Sequence, residues 1–238
     1  RWEISEDGET LYQPLSSIKG LGDAAIDEIM ANRPFHKVED LLFAENISYS
    51  KLNKKALDVL CRAQALNSLV DERFTGLKHF WSAVCVDRPK IYKKIQKSHD
   101  KLAENIKQYA PEGDFSDIER IEYLTDLTGV FPMSLVVDAD LIQDLQDQGV
   151  PPISEFDPEL IVCWFIPRKI TERKTKKGKP YWIVDVTDSN SEMVSIKCWA
   201  VKENDVVHLN RPYAARLSHC PNWGFSTRSI KHAFKLLS

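Results

Sequence analysis

The nine residues VPPISEFDP at 150–158 separate two stretches of different periodicity, and that change constrains the fold more than any other feature. Before it, apolar side chains recur three to four residues apart. Ala24, Ala25, Ile26, Ile29 and Met30 share one face, Leu52, Ala56, Leu57, Leu60 and Ala63 a second, and Ile91, Ile95, Leu102, Ile106 and Tyr109 a third. The spacing predicts helices over 24–33 with Pro34 as the stop, over HKVEDLLF, over SKLNKKALDVLCRAQAL, over 90–109 ending at Pro111 and Gly113, over DIERIEYLTDLTG and over DADLIQDLQDQG. After Pro158 the stretches LIVCWFIPRKIT, KPYWIVDVTD and MVSIKCWAV are rich in Val, Ile and aromatics, and Tyr181, Ile183, Asp185 and Thr187 alternate with the period of a strand.

Three antiparallel strands, shorter ones near YAARLSHC and a helix near TRSIKHAFKLL fit a five-stranded OB-like β-barrel. Residues 1–13 read as an extended lead-in with a turn at Asp7-Gly8. The fold class is therefore multidomain α plus β: a helical module over 1–70, a helical acidic connector over 71–158 and an OB-like domain over 159–238.

A formal net charge of -3 conceals the distribution of charge along the chain. Residues 1–110 carry 17 basic and 16 acidic side chains, residues 111–160 carry 1 and 13, and residues 161–238 carry 14 and 6. The basic last third is where a polyanion would dock. No run of about 18 apolar residues is present to span a bilayer, so no membrane partner is expected. The chain starts at Arg1 without a basic-then-apolar leader, which leaves open a segment excised from something longer. Five cysteines (Cys61, Cys85, Cys163, Cys198, Cys220) lie far apart with no C-x-x-C pair, and are expected to be buried, reduced thiols of a cytoplasmic protein.

In IKGLGDAA, Gly20 and Gly22 let the turn take positive φ and bare the backbone N–H groups that open the next helix, where the dipole also favours an anion. A plain glycine-rich connection would look the same from spacing alone. The apolar-Lys-Gly-apolar-Gly pattern ahead of an Ala-rich helix resembles the helix-hairpin-helix motif of sequence-nonspecific DNA-binding proteins. That resemblance implies phosphate contacts from Lys19, Gly20, Leu21, Gly22 and Asp23, with a monovalent cation at the hairpin.

The second segment, LNKKALDVLCRAQALNSL, follows at the separation found in the tandem helix-hairpin-helix region of the alpha subunit of bacterial replicative DNA polymerase III, the family C polymerases. ERIEYLTDLTGVFPMSLV is similar to that family's Glu-rich helix and the segment after it, and FIPRKITERKTKKGKPYWIVDVTDSNSEMVSIKCW resembles its OB domain. The chain departs from the family at Gln64, where Gly is usual, so the second hairpin reads as structural. It departs again after Gly129, where the family's Gly-His-Pro is absent, which suggests a divergent, phage-encoded member. Gln108 and Phe115 bracket YAPEGD too widely to match the family's sliding-clamp-binding peptide. The resemblance implies primer-template and single-stranded DNA as partners, with the sliding clamp and other replisome subunits beside them, in a bacterial or phage-infected cell. It implies Mg2+ for the polymerase as a whole and no cofactor in this segment.

Between Arg168 and Lys179 stand Arg168, Lys169, Arg173, Lys174, Lys176, Lys177 and Lys179 against the single acid Glu172, with aromatics on the adjoining strands at Trp164, Phe165, Tyr181, Trp182 and Trp199. Basic groups supply salt-sensitive attraction to a backbone, and an exposed ring supplies a stacking platform of about 1–3 kcal/mol per base. Tyr181 or Trp182, rather than Trp164, is expected to face outward. Asp138 and Asp140 form a D-x-D, but the helical DLIQDLQDQG that follows makes Asp138 an N-cap, and no catalytic residue is expected here. The six histidines show no ligand spacing, so no metal site is expected. The reading is a DNA-binding part of a DNA-directed DNA polymerase without its catalytic carboxylates. The alternatives are a stand-alone DNA-binding accessory protein of recombination or repair, and a replisome interaction module whose acidic connector meets a basic partner.

Overall fold

A computed structural model describes residues 2–5, 8, 11–110, 113–190 and 192–237. The expected turn residue Asp7, the expected stop Pro111 and Ser191 between the second and third strands lie outside the described residues. The chain forms two compact units, Arg1–Pro132 and Met133–Ser238. The sequence divides it into three segments, and the difference lies in the connector. Its first part buries Leu102, Phe115 and Leu127 in the same apolar core as the hairpin module. The remainder of the connector falls in the second unit.

The first unit opens with the two-residue strands β1 (Glu3–Ile4) and β2 (Leu11–Tyr12), which pair antiparallel. Helices α1 (Asp23–Asn32), α2 (Val38–Phe43) and α3 (Lys54–Arg62) follow, then α4 (Leu77–Phe80), which runs into a π-helical turn at Trp81–Val86. Two longer helices, α5 (Ile95–Gln108) and α6 (Asp117–Thr128), complete it. Local chemistry sets the ends. Asn53 caps α3 by accepting from the Ala56 N–H at 3.0 Å, Ser116 and Glu119 close a reciprocal capping box on α6, and Gly129 ends α6 in the left-handed region at φ 73°.

The stripe of α3 (Ala56, Leu57, Val59, Leu60, Cys61) is buried against Leu41, Leu42, Phe80 and Leu102, and each large apolar side chain so covered contributes about 1.5–3 kcal/mol. Helix α5 begins at Ile95 rather than at residue 90. Pro89 breaks the approach, and the Tyr92 N–H is satisfied by Ser98 Oγ at 2.9 Å, leaving Ile91 and Tyr92 exposed. Buried Asn105 on α5 donates to the carbonyls of Ala83 at 3.0 Å and Asp87 at 2.5 Å, which ties α5 to the π-helical turn.

Four carboxylates of this unit are held below their ordinary range. Glu28 accepts from the Ser48 N–H and faces Lys51, the Arg73 guanidinium binds both Glu39 and Asp71, and Glu119 accepts from the Ser116 N–H. A depressed folded-state pKa contributes stability that is present above the unfolded value, 4.5 for glutamate and 3.8 for aspartate, and is lost as pH falls through the lower folded value. Thermal melting between about pH 6 and about pH 3 should show a melting temperature that declines on the acid side, with a shallower decline in Glu39→Gln.

The second unit carries α7 (Ala139–Asp147), which Asp138 caps by accepting from the Leu141 N–H at 2.8 Å. The strands are β3 (Val162–Lys174), β4 (Pro180–Thr187), β5 (Val194–Trp199), β6 (Tyr213–Arg216), β7 (Ser218–Cys220), β8 (Gly224–Thr227) and, after the short α8 (Ile230–Ala233), β9 (Phe234–Leu236). They form one curled mixed sheet in the order β7-β8-β5-β4-β3-β6-β9, in which only the β5 and β8 pair is parallel. Seven described strands stand where the sequence suggests five: β6 and β7 occupy YAARLSHC as expected, while β8 and β9, four and three residues long, are too short to show alternation.

The 13-residue β3 sets the curl. It pairs with β6 through Val162–Phe165 and with β4 from Ile166 onward, and its register shifts between Pro167 and Lys169. A bulge at a proline bends the strand where a ladder N–H is missing. The core holds Phe165, Val184, Val186, Ile196, Cys198 and Tyr213. Cys61, Cys85, Cys163 and Cys198 are buried, and burial pushes the Cys163 and Cys198 thiols up to about 12. Cys220, expected to be buried, is exposed because β7 lies at the sheet edge. No described helix is long and apolar enough to cross a membrane.

Candidate nucleic-acid interface

In the first unit, Ile18 and Leu21 are buried and pin the turn between them, closed by the Leu21 N–H to the Ile18 carbonyl at 3.2 Å. Gly20 holds φ +87°, and a Cβ there would meet Val59 Cγ2 at 3.8 Å, so the requirement for glycine is conformational rather than steric. Gly22 is the N-cap of α1, and Asp23 and Ala24 open the helix with amides that have no carbonyl within it. A phosphate could accept from these groups, although the Asp23 carboxylate stands in the same first turn.

Lys19 is already engaged. Its N–H donates to the Leu127 carbonyl at 2.7 Å and its Nζ lies 2.9 Å from Asp126 Oδ1, while Gln13 Nε2 donates to the Thr128 carbonyl at 3.1 Å. The C-terminal end of α6 therefore abuts the hairpin and presents a carboxylate to the lysine expected to meet phosphate. Both partners are largely exposed, so the pair opens at little cost. Asp126→Asn should tighten duplex binding by up to about fivefold in a titration at moderate salt, since an exposed pair is worth at most about 1 kcal/mol.

The second hairpin follows α3. Gln64 takes φ 61°, and the Ala65 N–H reaches back to the Leu60 carbonyl at 2.9 Å, the bonding of a left-handed helix cap. A side chain in that conformation costs roughly 1 kcal/mol relative to glycine.

In the second unit the register sorts the expected single-strand residues onto different faces. Tyr181 pairs with Arg173 on one side and Trp199 on the other, and Ile183 pairs with Lys197. These side chains share the outer face, because the alternate positions Val184, Val186, Ile196 and Cys198 are buried in the core. Tyr181 and Trp199 rings lie 4.8 Å apart at 31°. On the adjacent β7–β8 hairpin, Trp223 is 73% exposed, and Lys197 Nζ sits 5.5 Å over its ring while donating to its carbonyl at 3.1 Å. Lys169, paired with Asp185, extends the outer face.

Trp182 goes the other way. It packs against the core and, with Lys174, Pro180 and Lys202, lines a cavity of about 760 Å³ near the turn of the β3–β4 hairpin. Trp164 is buried, and so is its neighbour Phe165. Arg168 sits at the bulge, half-buried and bonded to Asn210, and burial lowers its pKa. Lys176, Lys177 and Lys179 are exposed around the hairpin tip, where the Gly178 N–H donates to the Thr175 carbonyl at 2.9 Å and Gly178 takes φ +77°.

Trp199, one of the aromatics noted in the sequence, and Lys197 and Trp223, which the sequence did not single out, complete this face. Only the cross-strand register brings the first two beside Tyr181, and Trp223 lies in a turn that carries no periodicity. Among the described residues no three His, Cys, Asp or Glu side chains gather to hold a metal ion. At the first hairpin, residues 18–22 have no anionic side chain, and the Ile18 carbonyl keeps a lone pair beyond its bond to Leu21. One free carbonyl lone pair falls far short of the oxygen set that a divalent cation takes.

Residues 1–76 match the family model of the helix-hairpin-helix motif. A stretch of 92 residues is 30% identical to DNA polymerase III subunit alpha of Pseudomonas aeruginosa, which spans 37% of this chain and 8% of that protein's length. The two matches support the resemblance of this chain, over part of its length, to the C-terminal region of a family C polymerase.

Proposed function

We propose that the chain is the DNA-binding, C-terminal part of a replicative DNA polymerase, in which the helix-hairpin-helix unit grips duplex backbone and the sheet unit, an OB-like module, holds single-stranded template. The observation that carries this reading is the outer face of the sheet. It sets a close, tilted Tyr181–Trp199 pair and the exposed Trp223 beside a hairpin crowded with lysines. Rings take the bases, cations take the phosphates, and neither contact reads sequence. In the first unit the amides that open α1 and Lys19, once freed from Asp126, would meet a phosphate in the same sequence-independent way.

Chemistry of nucleotide addition is assigned elsewhere in such a polymerase, together with its Mg2+. Asp138 does not suit that role, since its carboxylate is spent on capping α7. A monovalent cation at the first hairpin, a sliding clamp and other replisome subunits as partners, and a cytoplasmic location in a bacterial or phage-infected cell belong to the same proposal. Replacing Lys174, Lys176, Lys177 and Lys179 by alanine tests it, with anisotropy of labelled single-stranded, duplex and primer-template DNA followed across a salt series. Each phosphate contact removed should flatten the single-strand salt slope by about 0.7 while duplex binding holds. An unchanged slope would sink the assignment.

A further inference from the structure

The second unit carries a groove that the nucleic-acid reading does not use. It lies between the C-terminal end of α7, the Pro151–Pro152 turn and the turn at 157–160, and encloses about 460 Å³. Ile142, Pro152, Leu160 and the buried Trp164 give it apolar walls, and the charged groups of its lining are Glu155 and Asp157. Glu155 is held in place by Asn190, whose Nδ2 donates to Oε1 at 3.0 Å and also to Ser154 Oγ at 2.8 Å. Asp157 closes its own turn, accepting from the Glu159 N–H at 2.8 Å. Residues 133–160 hold seven acids and no base, so the segment that supplies most of the groove's lining is uniformly acidic.

At the mouth, Ile161 takes φ 54°, a left-handed conformation disfavoured for a β-branched residue. In that turn Leu160 stands 50% exposed and Ile161 46% exposed. A concave apolar surface rimmed by fixed carboxylates repels a phosphate backbone and gives an uncharged ligand nothing to set against their negative charge. It is complementary to a chain that alternates apolar and cationic side chains.

We propose that this groove docks a basic, apolar peptide segment of a partner protein, with an apolar side chain seated against Leu160 and Pro152 and a flanking Lys or Arg facing Glu155 and Asp157. Affinity comes from covering the apolar walls, and the carboxylates select the sign of the partner.

The full 238-residue chain is titrated into a fluorescein-labelled peptide of roughly ten residues that alternates arginine with leucine, and into a glutamate-for-arginine counterpart, at physiological salt. The arginine peptide should bind and the glutamate peptide should not. Leu160→Lys, at an exposed position, should weaken binding at least tenfold, and Gln146→Lys on the rim of the same groove provides a second variant should the first fail to fold. Asp117→Lys removes an exposed acid of the first unit that does not line the groove and should leave the affinity as it was. Absence of binding to the arginine peptide, equal binding of both peptides, unchanged affinity in the folded groove variants, or an equal loss in Asp117→Lys would each overturn the proposal. The result is independent of DNA binding, which the lysine variants of the β3–β4 hairpin test separately.

Discussion

Replacing Tyr181 and Trp199 together by alanine should weaken binding of a thymidine oligonucleotide by about 5- to 150-fold, the range that 1–3 kcal/mol of base stacking allows. The two rings are cross-strand partners 4.8 Å apart on the outer face, so removing one leaves the other as a smaller platform and the single variants should each lose less than the pair. Neither ring belongs to the apolar core of its unit, whose inner positions on β4 and β5 are Val184, Val186, Ile196 and Cys198, so the double variant should keep its fold. Trp223→Ala is the companion measurement, since that ring is the most exposed aromatic of the face and carries Lys197 above it. Anisotropy reads the affinity, and intrinsic fluorescence reads whether the oligonucleotide quenches the remaining indoles. Wild-type affinity in a folded double variant would mean that the strand does not cross this face.

The second large effect is on stability. Phe165 is fully buried on β3, with its ring 5.1 Å from Phe234 on β9, and it pairs with Tyr213 across to β6. Phe165→Ala should destabilise the sheet unit by about 3–5 kcal/mol, from lost transfer free energy plus the cavity left in a curled sheet that cannot collapse onto it. Denaturant titration followed by hydrogen exchange of the β3, β4 and β6 amides measures the loss where it occurs. A change under about 1 kcal/mol would show that the core relaxes around the vacancy and that β3 is less constrained than its two sets of partners imply.

Much of the helical unit was legible because its signals are local. Apolar spacing marked α1, α2, α3 and α6, and Asp138 before the first turn marked where α7 begins. The first Gly-x-Gly stood out for a backbone reason, since Gly20 needs positive φ whatever surrounds it. Other parts were not local. The π-helical turn at Trp81–Val86 has no period of its own and is held by Asn105 from another helix. The engagement of Lys19 by Asp126 joins residues 107 positions apart, and no motif at either end announces it.

The sheet shows the same division. Alternation marked β3, β4 and β5 as strands and the basic run between β3 and β4 as a hairpin tip, because pleating forces successive side chains to opposite faces. Tyr181 and Trp182 are neighbours, so one had to point outward and the other inward. Only the core decided which: the shape that Val184, Ile196 and Cys198 close around takes Trp182 and leaves Tyr181 outside with Trp199. The sequence by itself determined which residues prefer helix or strand and where charge accumulates, since those follow from each residue and its near neighbours. The tertiary structure decided which faces are wet, which cations are already paired and which rings meet, because register and burial are properties of segments distant in the chain.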